Sequence, residues 1–134
     1  VQIIQGEDKA RYHLAAATVS NLVCALFAAG ETLLAQCGFQ EDAAREALAP
    51  LFLGNARSVA AAGARDALTG PVERGDLGTL RVHLAALGAR EDQLLYLLLT
   101  EKLLPLAGAR HPERDDSSIK EFLEAETARR LGKG

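Results

Sequence analysis

The stretch ALTGPVERGD, residues 67–76, interrupts two long apolar helical halves with residues that no helix interior accommodates. Pro71 lacks the N–H that a helical turn needs and clashes with the turn before it, while Gly70 accepts the positive φ of a tight corner, so the chain must turn here. Beyond the corner Asp76 can accept the orphan N–H groups of a new helix, on which Thr79 and His83, four apart, share one face. A plain connector would leave Arg74 and Asp76 merely solvated. Thr69, Arg74, Asp76, Thr79 and His83 together put more polar side chains beside a rigid turn than a connector requires, which makes this the first candidate site.

Working outward, 134 residues suffice for one good core and are too few for two. The composition is 49% hydrophobic and only 4% aromatic, a core of Leu, Ala and Val that suits closely packed helices better than sheets. The expected class is all-α, a bundle of five to six helices with a long first helix. A net charge of -3 with scattered basic residues excludes nucleic acid as the main ligand. Cys24 and Cys37 lie roughly 20 Å apart along one helix and cannot bridge, read most simply as buried small hydrophobes, and a reducing, cytoplasmic compartment is the default. The strongest apolar run is taken as residues 94–99, far short of a membrane span, so no membrane partner is expected.

Residues 1–6, VQIIQG, read as an extended lead-in suited to the end of a linker from a missing N-terminal domain, and residues 7–134 as the helical domain. Tyr12, Ala15, Ala16, Val19, Leu22, Val23, Leu26 and Phe27 follow helical spacing, continued by Leu33 and Leu34, with Gly30 a weak point inside and Gly38 a C-cap. A second helix from Glu41 is expected to end or restart at Pro50, and a third to present Leu51, Phe52, Ala56, Val59 and Ala60 as its apolar stripe. The fourth, residues 76–87, buries Leu77, Leu80, Leu84 and Leu87. The fifth, residues 91–106, is apolar nearly all round between Leu94 and Leu99 and is expected to lie with the first helix at the centre. After a loop over residues 107–116, Ser118 and Glu121 form a capping-box signature for a last helix carrying Ile119, Phe122 and Leu123.

On the first helix Lys9, His13 and Ser20 project within about 40° of one another, with Asn21 at the edge of that face. A lysine and a histidine four apart can hold an anionic or carbonyl group, the histidine moving a proton near neutral pH. Singly, each has a plainer reading: a solvated lysine, a packed histidine, a serine bonded back to its own helix. No His/Cys or Glu-x-x-His ligand spacing occurs, so no metal is expected, and no Gly-x-Gly-x-x-Gly follows a strand.

The motifs KARYHLAAATVSN (residues 9–21) and ALTGPVERGDLGTLRVHLAAL (residues 67–87), in this order and separation, resemble the C-terminal domain, known only as one of unknown function, of a family of Rossmann-type NADP oxidoreductase-like proteins. The resemblance extends over roughly residues 7–107. It implies an N-terminal Rossmann domain that binds NADP and precedes this chain, and a helical domain similar to those of pyrroline-5-carboxylate reductase, ketopantoate reductase and 6-phosphogluconate dehydrogenase. Such a domain binds a small-molecule substrate, dimerises and closes the active-site cleft over the nicotinamide. By this resemblance Lys9, His13, Ser20, Asn21, Thr69, Gly70, Pro71, Arg74, Asp76 and His83 line the cleft, joined by Thr79 from the residue pattern. The relatives' lysine and asparagine are spaced more closely than Lys9 and Asn21, which leaves Lys9 and His13 as equal candidates for the catalytic acid. The alternative is a helical interaction and dimerisation domain without chemistry.

A homodimer on the first helix is also expected from dimensions. A compact domain of this length is roughly 36 Å across, whereas a helix over residues 8–37 spans about 45 Å. One end then overhangs and exposes Phe27, Leu33 and Leu34 to a two-fold mate, unless the last helix folds over it through Phe122 and Leu123.

Overall fold

The computed structural model describes residues 3–132, so Val1 and Gln2 of the expected linker lie outside the described residues. Among them there is no strand; a 3-10 turn, Gly6–Asp8, is followed by seven α-helices. These are α1 Lys9–Gln36, α2 Glu41–Ala62, α3 Ala64–Ala67, α4 Pro71–Arg74, α5 Leu77–Ala86, α6 Arg90–Arg110 and α7 Ser117–Arg130. The all-α class stands, with a different helix count. Pro50 lies inside a continuous α2: its fixed φ is itself helical, and at this exposed position the carbonyl it deprives of a donor can bond water. The corner, in turn, holds two single-turn helices, α3 and α4.

The chain divides into two compact units, Val1–Ala56 and Arg57–Gly134. In the first, α1 ends where Gly38 takes φ 90° and Phe39 N–H donates to Leu34 O at 3.1 Å, and α2 turns back. The helices approach closely at Gly30, where a Cβ would stand 3.2 Å from Leu48 Cδ1. The weak point inside α1 is a crossing point. Phe27 and Phe52 meet edge to face with centroids 5.4 Å apart, and Glu31 faces Arg45 at 3.7 Å.

Beyond these contacts α1 has no buried residue. The expectation that it forms part of a central core is corrected: Val19 is 75% and Leu22 57% exposed, and Leu51, Phe52 and Val59 of α2 are exposed too. Cys24 and Cys37 are exposed free thiols and not buried hydrophobes. The strongest apolar segment is also α1 itself. By length and composition Gly6–Gln36 is apolar enough to cross a membrane, with mean hydropathy 1.5 over its richest window. Residues 22–29, LVCALFAA, already form an uninterrupted apolar run longer than residues 94–99, so the expectation that 94–99 is the strongest run is corrected.

The second unit has a core of Val72, Leu80, Leu84, Leu97, Ala107, Ile119 and Leu123, drawn from α4 to α7. Its α6 is buried along one stripe only: Leu97 is 0% and Leu98 48% exposed, so the all-round burial expected of residues 94–99 is corrected. Within this unit α5 and α7 bury Leu80, Leu84, Ile119 and Leu123, and the other side of α6 keeps Leu95, Leu98 and Leu99 at the surface. Helix α7 starts differently from the expected capping box. Ser117 N–H donates to Asp115 Oδ1 at 2.9 Å, and Ser118 lies inside the helix. At its other end Arg130, its side chain 10% exposed, donates to Gln93 Oε1 at 2.7 Å and Glu126 Oε2 at 2.6 Å, fastening α7 to the start of α6.

These positions differ in what truncation should do. Leu97→Ala empties a fully buried site and should cost about 2–5 kcal/mol of unfolding free energy, whereas Leu98→Ala, one residue on, should cost well under half as much in the same urea titration of the chain. Equal losses would mean that both faces of α6 are covered.

Candidate functional site

The corner is built by two glycines and a proline. Gly70 has φ 93° and ψ -168°, a region open essentially to glycine alone, and delivers Pro71 as the first residue of α4. One turn later Gly75 takes φ 70° and ψ 29° and stops α4 with its N–H on Val72 O. Asp76 then caps α5, accepting Thr79 N–H on Oδ1 at 2.9 Å and the Thr79 hydroxyl on Oδ2 at 2.6 Å, with Arg74 Nη2 3.9 Å from the same carboxylate. The Thr79 hydroxyl and N–H hold the Asp76 carboxyl below the usual carboxylate range, helped by the charge of Arg74. Two turns along α5, His83 Nδ1 lies 3.1 Å from the Tyr96 hydroxyl of α6.

The structure therefore bonds Asp76 to Thr79, places Arg74 within 3.9 Å of the same carboxylate, and sets His83 against Tyr96 farther along α5. Thr69 is exposed beside the turn that Gly70 and Pro71 shape. Lys9, His13, Ser20 and Asn21 belong to the first unit, all exposed on α1, and Ser20 Oγ donates to Ala16 O at 2.7 Å. That serine's proton is spent on its own helix, though its oxygen can still accept. Among the described residues no three His, Cys, Asp or Glu side chains gather where a metal ion could be held.

Sequence reasoning missed what holds the corner. The expected loop over residues 107–116 begins later, because α6 runs through Pro105 to Arg110, and Arg110, His111 and Arg114 grip Leu68, Val72 and Glu73 from 38 to 42 positions away. Arg114 donates through Nη1 to Glu73 O and through Nη2 to Val72 O at 3.0 Å, while Asp116 holds its Nε at 2.8 Å. Its side chain also packs 3.4 Å from where a Cβ on Gly75 would stand. Arg110 donates to Leu68 O at 2.7 Å. His111 Nε2 sits 2.7 Å from Glu73 Oε1; this hydrogen bond, and then the charges of Arg110 and Arg114, hold the Glu73 carboxyl below its ordinary range. The only signal in the sequence was the charge of RHPERDD, which names no partner.

The chain belongs to the family described as "Domain of unknown function (DUF2520)", whose model matches residues 1–103. No curated protein and no solved structure matches it. The match takes in α1, the corner and α5, and stops before Arg110, His111 and Arg114.

Arg114→Ala leaves the carbonyls of Val72 and Glu73 without their guanidinium donors and should cost about 1–3 kcal/mol. Amide exchange at residues 75–79 should rise by more than global unfolding accounts for; unchanged exchange there would remove Arg114 from this role. The Glu73 pKa sets a second expectation. Because its folded value is depressed, its stabilisation is present above the unfolded value of about 4.3 and fades as pH falls through the lower folded value. Urea titrations between about pH 7 and pH 3 should therefore show a smaller acid loss for Glu73→Gln than for the unaltered chain.

Proposed function

We propose that this chain, as a member of that family, is the substrate-binding and dimerisation domain of a cytoplasmic NADP-dependent oxidoreductase, closing the active-site cleft over the nicotinamide as a homodimer. The observation that carries the reading is α1, a 28-residue apolar helix without a buried residue. A helix apolar on most sides belongs inside an assembly. Its alanines permit close helix crossing, and a two-fold copy is the commonest cover in soluble oligomers. Although α1 passes a membrane-span test by length and composition, Thr18, Ser20 and Asn21 stand in its middle and alanine supplies much of its apolar surface. Such a helix gains little from lipid and more from another helix.

In this reading Lys9 or His13 is the catalytic acid, with Asn21 beside them on α1. Ser20, Thr69, Gly70, Pro71, Arg74, Asp76, Thr79 and His83 contact the substrate. The likeness to the helical domains of pyrroline-5-carboxylate reductase, ketopantoate reductase and 6-phosphogluconate dehydrogenase rests on the two motifs. NADP, which supplies the hydride when bound, would be held by the parent protein's N-terminal Rossmann domain. The described residues contain no strand leading into a glycine-rich turn, hence no cradle for a pyrophosphate. The second reading, a helical dimerisation domain without chemistry, draws support from Ser20 bonding to its own helix and from Asp76 and Thr79 satisfying each other.

Sedimentation equilibrium at micromolar concentration should give twice 14.2 kDa, and Val19→Glu should shift the chain to monomer without loss of helical circular dichroism. A 14.2 kDa species persisting as the concentration of the unaltered chain rises would refute the dimer. Calorimetric titration of the isolated chain with NADP should show negligible heat; tight binding would overturn the division of labour.

A further inference from the structure

His83 and Tyr96 form a pair that neither motif contains as a unit. Their rings meet edge to face with centroids 5.9 Å apart, and His83 Nδ1 lies 3.1 Å from the phenol oxygen. Which atom donates follows from their chemistry. The Nδ1 lone pair of a neutral imidazole lies in the ring plane and is a strong acceptor, whereas the phenol oxygen's lone pair is partly delocalised into its ring. The phenol O–H is also the more acidic donor, so O–H to N is the favoured sense. Tyr96 is half-buried among α6 core neighbours, and burial pushes its hydroxyl above the ordinary range, which keeps the proton on oxygen at neutral pH.

When Nδ1 accepts, the ring proton of neutral His83 must be on Nε2. The ring is exposed, and it sits close enough to Asp76 for the two to interact electrostatically. Asp76, however, is already occupied by both donors of Thr79 and by Arg74. We infer that Tyr96 is a positioning residue that fixes His83 as an Nε2–H donor, presented beside the Asp76–Thr79 cap to a lone pair on a carbonyl oxygen or imine nitrogen of the substrate. The substrate class rests on the oxidoreductase reading; the tautomer and its cause do not.

Nuclear magnetic resonance of the full chain, labelled with 15N in histidine and held at about pH 8 where an ordinary imidazole is neutral, tests this without any ligand. Long-range 1H–15N correlations, assigned with single substitutions of His13, His83 and His111, should show His83 Nε2 in the protonated range. Its Nδ1 resonance should be shielded by an accepted hydrogen bond. Tyr96→Phe, which keeps the packed ring, should move both His83 resonances to the tautomer-averaged values of exposed His13 and leave His111 in place. A protonated Nδ1 in the unaltered chain, or a His83 spectrum indifferent to Tyr96→Phe, would overturn the inference. If that variant does not fold, the spectrum of the unaltered chain decides alone, because Nδ1–H is incompatible with the proposed donor. Failure here leaves the dimer and NADP tests untouched.

Discussion

An apolar helix that is left uncovered is the constraint from which the first half of this protein takes its meaning. Moving one large apolar side chain from water into a packed interior contributes about 1.5–3 kcal/mol, and α1 holds Leu14, Val19, Leu22 and Leu26 in water. Association costs roughly 4–15 kcal/mol in lost freedom, so a handful of such anchors, doubled by symmetry, suffices to outweigh it. The contacts α1 does make, Gly30 against Leu48 and Phe27 against Phe52, lie toward its C-terminal end. Tyr12, Leu14, Val19 and Leu22 lie nearer its start and remain exposed.

The second unit solves a different problem: holding a corner of backbone that secondary structure alone cannot hold. A one-turn α4 can satisfy few of its own carbonyls, and Arg114, in the loop after α6, donates to those of Val72 and Glu73 while Arg110, the last residue of α6, donates to that of Leu68 just before α4. Exposed ion pairs stabilise little. These arginines matter because their guanidiniums bond backbone carbonyls of Leu68, Val72 and Glu73, and Arg114 and Asp116 are themselves largely covered. A corner held this way keeps Gly75 in its left-handed turn and thereby aims Asp76 at α5. The cap, the row from Arg74 to His83, and the Tyr96 hydroxyl then follow along two helices that share the unit's core.

What the sequence made legible was local. Gly70 and Pro71 announced the corner because only glycine enters that backbone region, and Asp76 announced the cap because an aspartate three residues before Thr79 can reach its N–H. Leu80 and Leu84 declared their face by spacing. The failures share a cause. Pro50 was read by its dislike of helix interiors, yet an exposed proline already within a helix forfeits only one bond. Residues 94–99 looked buried all round because composition cannot tell one packed stripe from two. Ser118 lost the cap position to Asp116, two residues earlier, with the Asp115 carboxylate accepting the Ser117 N–H. The Arg114 clamp and the His83–Tyr96 bond pair residues on different elements, where periodicity has nothing to say. The apolar character of α1 was plain, but its lack of cover is a property of the fold.

Whether α1 is covered by a second copy of the chain is reported most directly by its own amides. Hydrogen exchange along Lys9–Gln36, followed as the protein is diluted from high micromolar to nanomolar concentration, should show strong protection that falls away with dimer dissociation, while α6 and α7 keep theirs. Protection of α1 that is the same at every concentration, or absent at all of them, would contradict it.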